Sequence, residues 1–411
     1  MEKFEPRNIK GASDFLPSTQ IMRNRIIDTL KKNFEGFGFL PLETASLNHY
    51  DLLSYKYDEN AEILREIYKM KDQGERELGL RFDLTVPFCK VIAMNRNLRM
   101  PFKRYEIGKV WRNGPVKLGR TREFYQCDID CVGLSGVHIE AEFILLAVKG
   151  YTALGIEPVI KIGNRKGLID LIKSQGVSDK DIDTVIGIVD RIGKADEKEL
   201  LGDLKKYGAE KLLKIKLEPN DEVRELFGII EKMGIAKYCV FAPFLARGLN
   251  IYTGTVWEIY DKAGRLSNSL GGGGRYDNII GNFIDNGQKY PAVGMSFGLE
   301  PICAVLSDKV QQQTSVDLTI IPMGTEIQSQ MFAEGLRTAG LRVLVQLTGK
   351  SVGKAFEYAN AEKIPFAVVI GENEIIKGEV NIKNMSTGEQ RVFKSGDVKG
   401  IVQYIGVANG K

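Results

Sequence analysis

A polar stretch without strong periodicity, Gln311–Ser315, reads as a linker between two lengths of chain whose patterns differ. Beyond it, strand and helix patterns alternate. Asp317–Pro322 reads as a strand, Gln328–Ala339 as a helix, Arg342–Leu347 as a strand, Ser351–Ala361 as a helix and Phe366–Gly371 as a strand. That alternation predicts a separate small α/β domain with a mainly parallel sheet. Before the linker, Ile21, Ile26, Ile27, Leu30 and Phe34 recur at helical spacing over residues 18–36, and Gly36 and Gly38 end the helix. Residues 75–83 and 101–112 read as strands, and 122–133 alternates like a strand with one wet face. A helix around Glu140–Leu154 follows. From about 165 to 235 a Lys-, Asp-, Glu- and Leu-rich stretch reads as a helical insertion. Strand signals return at 239–260 and 267–274, then a helix near 275–284 and a strand running into a helix over 291–306.

Length and composition narrow the class. A chain of 411 residues makes two to four domains, and 43% hydrophobic with 27% charged residues excludes a disordered chain. No run approaches the ~18 apolar residues of a membrane span. The N-terminus MEKFEPRNIKGASDF lacks the apolar core of a secretory signal, so a cytoplasmic protein is expected. The net charge of +4 neither requires nor excludes a nucleic-acid partner, because a local basic face is enough. Five irregularly spaced Cys fit reduced, buried thiols. Cys127 and Cys131 have no second pair, and only two His are present, so no metal site is expected.

Five segments carry residues that could do chemistry. Between Arg104 and Asp130 lie Arg112, Arg120, Arg122, Glu123, Gln126 and Asp128. If 104–112 and 122–130 pair as strands, Gln126, Asp128 and Asp130 share one face. Guanidinium forks match phosphate oxygens and carboxylates match an ammonium or a protonated ring. The set therefore suits an anionic ligand that also carries a cationic group, although a ladder of cross-strand ion pairs accounts for the charges slightly better. Asp83 and Thr85, two apart on an extended segment, could hold an amine, and a strand end with an Asp–Thr turn is the plainer reading. Arg247, set among apolar and small residues, must be paired or face a ligand. The run Gly271–Gly274 fits neither a P-loop nor GxGxxG, yet four glycines are costly to order without a steric reason. Gly294 and Gly298, on a strand feeding a helix, leave room for a flat group or for core packing.

In their order and spacing these segments resemble the histidyl-tRNA synthetase family, class II aminoacyl-tRNA synthetases, over nearly the whole chain. RNIKGASDFLP (Arg7–Pro17) resembles the family's N-terminal signature, the helix to Pro41 its motif 1, RFDLTVP its Asp-Leu-Thr element, and residues 104–133 its motif 2. Arg247–Glu258 and Leu270–Asp277 resemble the two histidine-specific motifs, Ala292–Glu300 resembles motif 3, and residues 317 to about 405 the anticodon-binding domain. The resemblance implies an α+β catalytic domain over 1–315, with an antiparallel six- or seven-stranded sheet flanked by helices and an insertion at about 165–235, and an α/β anticodon-binding domain over 316–411. It implies ATP with Mg²⁺, histidine and tRNA(His) as ligands, and a homodimer. By similarity Asp83, Thr85 and Gln126 hold the histidine amino group, and Asp130 and Tyr252 read the imidazole. Arg112, Arg120 and Arg275 grip ATP, and Arg247 and Arg112 are catalytic, with Arg247 at the α-phosphate. Arg337, Arg342, Lys350, Lys354 and Lys363 are candidate RNA contacts.

Three departures stand out. Pro301 replaces the Arg that usually follows Gly-Leu-Glu in motif 3. Asn250-Ile251-Tyr252 replaces Asp-Tyr-Tyr. Arg112-Asn113-Gly114 lacks the acidic residue common after the motif 2 Arg. They keep an alternative open: a weak or inactive paralogue that binds histidine as a regulatory subunit of ATP phosphoribosyltransferase. The intact Arg247 and the C-terminal domain favour the ligase.

Overall fold

The structure, a computed structural model, describes residues 5–55, 62–192, 195–215, 218–245, 251–307 and 314–408. Over these residues the chain divides into two units. One falls within Met1–Asp14 and Arg23–Ser307, the other within Phe15–Met22 and Asp308–Lys411.

The first unit begins with α1 (Pro17–Gly36), whose N-terminal turn belongs to the other unit, and short strands β1 (Leu40–Pro41) and β2 (Leu47–His49). Then come α2 (Tyr50–Ser54), α3 (Glu62–Glu66), β3 (Lys69–Lys71), β4 (Glu77–Leu80) and α4 (Thr85–Met94). A long hairpin, β5 (Phe102–Trp111) and β6 (Glu123–Val132), leads to α5 (Val137–Ala153) and β7 (Pro158–Asn164). Four helices, α6 (Arg165–Ser174), α7 (Ile182–Val189), α8 (Glu197–Lys205) and α9 (Asp221–Lys232), form the expected insertion. The unit closes with β8 (Cys239–Phe241), β9 (Thr255–Asp261), β10 (Gly271–Arg275), α10 (Ile279–Ile284), β11 (Ala292–Gly298) and α11 (Leu299–Leu306).

Eight strands make one sheet in the order β1-β5-β6-β11-β10-β9-β7-β8. The six central strands pair antiparallel, as expected, while β1 and β8 join the edges in parallel. Side-chain alternation gives the sheet two unlike faces. Tyr105, Cys127, Ile129, Trp257 and Phe297 point to one, which α1 and α5 cover. Phe34 of α1 lies 5.4 Å from Phe297 between ring centroids, and Phe143 and Tyr151 of α5 meet Trp257 and Phe297 at 6.3 and 5.0 Å. Arg104, Glu106, Gln126, Asp128 and Asp130 point to the other face.

Two local features fix the hairpin. Gly11 has φ +87°, and its carbonyl accepts the backbone N–H groups of Arg122 and Glu123 at 2.8 and 3.0 Å. A Cβ there would also stand 2.8 Å from Arg122 Cγ, so the glycine is required twice over. Near the same end, Glu300 in the first turn of α11 accepts from Arg23 Nη2 of α1 at 2.9 Å and from the Tyr125 backbone N–H at 3.0 Å. The insertion has its own core, including Leu168, Ile172, Val185, Leu200, Leu204 and Leu212. Asn164, Asp196 and Asn220 cap α6, α8 and α9.

The second unit contains β12 (Leu318–Pro322), α12 (Glu326–Thr338), β13 (Val343–Val345), α13 (Val352–Ala361), β14 (Phe366–Ile370), α14 (Glu372–Lys377), β15 (Glu379–Asn384), β16 (Gln390–Lys394) and α15 (Val398–Ala408). Its sheet runs β13-β12-β14-β15-β16. The first three strands are parallel, as expected, and an antiparallel hairpin, absent from the sequence reading, extends them. Alternation does mark that hairpin, because Val380 and Ile382 are buried between exposed neighbours. Of the candidate RNA contacts, Arg342 is held by both oxygens of Asp317 and Arg337 donates to the Val343 carbonyl. Lys350, Lys354 and Lys363 are exposed.

Truncating Arg23 leaves a largely buried carboxylate without its cation, which typically costs about 3–5 kcal/mol. Arg23→Ala should therefore lower the thermal midpoint markedly, whereas Arg25→Ala, on the exposed side of the same helix, should change stability by no more than about 0.5 kcal/mol. Equal shifts in thermal melts would refute the anchoring role of Arg23.

Candidate active site

The face of the sheet away from α1 and α5 is floored by glycine and walled by carboxylates. Across β10, β11 and β6 the register places Gly274 beside Gly294 and Gly294 beside Asp130. Next along, Gly272 lies beside Ser296 and Ser296 beside Asp128; Gly298 pairs with Gln126. A Cβ on Gly294 would come within 2.2 Å of Asp130 Oδ1, and one on Gly274 within 2.8 Å of the Tyr252 ring. The four-glycine run is thus a strand, β10, rather than a turn, and its bareness lets side chains lie flat on the sheet. Asp130 and Tyr252 stand over adjacent glycines; Tyr252 packs in one apolar cluster with Tyr276, whose hydroxyl reaches Asp130.

Arg104 is wholly buried beneath this cluster. Its Nη2 lies 2.7 Å from Asp130 Oδ2 and donates to the Leu84 carbonyl at 2.9 Å, and its guanidinium covers the Phe88 ring at 4.5 Å. The Tyr276 hydroxyl donates to Asp130 Oδ1. Behind it, Arg81 Nη1 meets Glu106 Oε1 at 2.8 Å and the Thr44 carbonyl at 2.7 Å. These contacts carry residues 81–85 across β5 and set the start of α4 beside Asp130.

Asp83 and Thr85 do not share an extended face. Thr85 opens α4, and Asp83 Oδ1 accepts the Val86 N–H at 2.9 Å, so Asp83 is a helix-start acceptor. Arg112 donates from Nε to the Phe82 carbonyl at 2.9 Å and lies 5.3 Å from the centroid of the Phe124 ring. Arg120, exposed in the β5–β6 loop, pairs with Glu66 at 3.1 Å. The structure does not bring Arg275 to this face. It points to the helix-covered side, where Nε donates to Glu140 of α5 at 2.6 Å and Nη2 to the Gly136 carbonyl at 2.8 Å. As an ATP ligand Arg275 is therefore corrected to a structural residue, because odd positions of β10 face away from the glycine floor. Arg247 lies outside the described residues. Pro301 occupies the first turn of α11, where a Cβ on Gly298 would stand 3.0 Å from its ring and one on Gly119 3.6 Å from its Cα.

Electrostatics follow from burial. Desolvation raises the pKa of Asp83, against the Val86 N–H and Arg112. It raises that of Asp130, against Arg104 and the Tyr276 hydroxyl. Asp128 is pushed up to about 8 by burial, with Arg104 opposing and Asp130 reinforcing the shift. Sequence reasoning gave no role to Arg104, Arg81, Tyr276 or Phe124. The signal was present for Arg104 and Arg81, since an arginine inside a strand pattern must find a buried partner. Tyr276 carried none, because its partner lies 146 residues away in sequence.

Residues 11–302 match the family model described as histidyl-tRNA synthetase, and 317–405 match the anticodon binding domain. The chain is 43% identical to histidine–tRNA ligase 1 of Bacillus cereus, covering 94% of this chain and 97% of that protein. It is 38% identical to histidine–tRNA ligase 2 of Shouchella clausii over 95% of this chain and 99% of that one. The crystal structure of histidyl-tRNA synthetase from Nostoc sp. PCC 7120 superposes with a TM-score of 0.82 at 27% identity, over 98% of this chain and 100% of that chain.

Because Asp128 binds its proton more tightly folded than unfolded, stability should fall as pH rises from the ordinary carboxylate range through about 8. Asp128→Asn removes that contribution. Thermal melts between pH 5 and 9 should show a shallower decline for the variant than for the parent, and parallel curves would contradict the burial of an ionisable Asp128.

Proposed function

We infer what this site does from one premise: the chain belongs to the histidyl-tRNA synthetase family. It is a histidine–tRNA ligase, which joins histidine to AMP at the expense of ATP and passes the histidyl group to the 3′ end of its tRNA. The observation that carries this reading is the single sheet face shared by Gln126, Asp128 and Asp130, beside Asp83 and Arg112.

On that face Asp83, Thr85 and Gln126 are proposed to hold the amino group of histidine, and Asp130 and Tyr252 its imidazole. A carboxylate accepts the ring N–H, and the Tyr276 hydroxyl and Arg104 keep Asp130 oriented for it. Arg112 and Arg120 sit on the hairpin and its loop, where their guanidinium groups suit phosphate oxygens. Phe124, on the same face as Gln126, offers a flat surface to the purine ring. Among the described residues no three acidic, His or Cys side chains converge as a metal site, and we assign no protein ligand to the Mg²⁺ proposed to enter with ATP.

The chemistry then needs little beyond positioning. The histidine carboxylate attacks the α-phosphorus, a new P–O bond forms and pyrophosphate leaves. No general base is required, because the nucleophile is already ionised. Negative charge grows on the α-phosphate oxygens, where Arg112 and Arg247 are proposed to stabilise it. A ribose hydroxyl of the tRNA next attacks the activated carbonyl and AMP leaves. We propose a catalytic domain over 1–315 and an anticodon-binding domain over 316–411, with the family likeness of residues 317–405 supporting a tRNA contact there. A homodimer in the cytoplasm, bound to tRNA(His), completes the reading, supported by the likeness of the α1–Pro41 segment to motif 1.

Incubation with ATP, Mg²⁺ and labelled pyrophosphate should give exchange that depends on added histidine. Histidine binding without exchange would instead support a regulatory subunit. Arg247→Ala should depress exchange by roughly 10²–10³-fold, in line with loss of one transition-state donor, while histidine affinity stays nearly unchanged. Equal losses in both would contradict its place at the phosphate.

A further inference from the structure

The floor of the site carries more acid than its cations balance. Glu106 is matched by Arg81 at 2.8 Å and accepts the Thr44 N–H and hydroxyl as well. Asp130 is matched by Arg104 and Tyr276. Asp83 is met by the Val86 N–H and faces Arg112. Asp128 has, among the described residues, no ion pair of its own, and its side chain hydrogen-bonds to Ser296. It sits between Gln126 and Asp130 on the same face of β6, flanked by Glu106 on β5 and Ser296 on β11. It is 3% exposed, and its Oδ1 has no hydrogen-bond partner. Its neighbour along the strand, Gln126, likewise has a buried Oε1 with no partner. Two orphaned acceptors on one strand face, each costing about 1–3 kcal/mol unsatisfied, call for a guest with several N–H donors. Among the described residues the charged donor nearest Asp128 is Arg104, which ion-pairs with Asp130 and Glu106 and donates to the Leu84 carbonyl, while its Nε and Nη1 make no hydrogen bond.

We propose that Asp128 is a substrate-binding residue whose carboxylate, together with the Gln126 amide oxygen, receives the α-ammonium group of histidine. The proposal rests on the ligase reading and adds to it a residue and a proton. The groups facing Asp128 are Arg104 and Glu106 from β5, Asp130 and Gln126 from β6, Ser296 from β11 and Asp83 from the start of α4. Burial among them leaves Asp128 mainly protonated at neutral pH when the site holds no cation. Entry of the ammonium group reverses that balance, and the carboxyl proton passes to solvent while the ammonium keeps all of its own. Histidine binding is thereby tied to proton release, and it should tighten as pH rises towards about 8.

The test is calorimetric titration of the full chain at pH 7 in phosphate and in Tris, whose ionisation enthalpies differ. The ligands are L-histidine, histidinol and 3-(imidazol-4-yl)propionate, which lacks the amine. For the parent chain, histidine and histidinol should each release close to one proton, and imidazolylpropionate clearly less. Asp128→Asn should weaken histidine and histidinol about tenfold or more, as expected for one charge-assisted hydrogen bond, abolish most of the release, and leave imidazolylpropionate binding unchanged. Equal weakening of all three ligands, or undiminished histidine binding and release, would overturn the assignment of Asp128 while leaving the ligase reading intact. A parent chain that binds no histidine would overturn both. If Asp128→Asn fails to fold, the parent's proton count still decides, because equal release with and without the ligand amine refutes the proposal.

Discussion

The pairing of Arg104 with Asp130 holds the site together. A guanidinium that is wholly buried cannot stand alone, and here one group ties three elements: its own strand β5, Asp130 on β6 and the Leu84 carbonyl at the entrance to α4. Such a pair adds little net stability over an apolar substitute, but breaking it leaves an uncompensated charge. Its effect is on position. It fixes Asp130 beneath Tyr276, and it sets the Asp83–Thr85 segment against the sheet.

The glycines complete what that pair begins. Side chains on β10 and β11 would fill the volume that Tyr252, Tyr276 and Asp130 now occupy, and backbone alone gives a floor without bulk. The opposite face of the same strands is packed by aromatic rings from α1 and α5, so the sheet cannot shift to make room. A rigid, acidic floor beside arginines selects for a ligand with opposite charges at its two ends. Histidine is such a ligand, and under the proposed reading its ammonium and imidazole face the acids and its carboxylate the arginines.

Much of this was legible in the sequence, though unevenly. The alternation in Glu123–Val132 placed Gln126, Asp128 and Asp130 on one face, because a strand's period of two is local. The helices between residues 165 and 232 and the parallel strands of the second unit were read for the same reason. Arg275 was misplaced because its orientation depends on where β10 begins, and a shift of one residue reverses every side chain. Asp83 and Thr85 were read as extended, whereas Thr85 starts a helix that the Asp83 carboxylate helps to initiate. The hairpin β15–β16 escaped notice although its apolar alternation was present.

The residues of this chain determined by themselves which strands and helices form, which side chains share a face, and the family to which their order points. Those properties depend on backbone geometry over a few neighbours. Only the tertiary structure decided which acid meets which base. Arg104 could have paired with any of several carboxylates, and the packing of β6, β11 and α4 around it gave it Asp130 and left one oxygen of Asp128 without a hydrogen bond. Charge pairing in a buried site depends on distances between residues far apart in sequence, and the steep cost of desolvation turns ångströms of placement into the difference between a structural ion pair and a binding group.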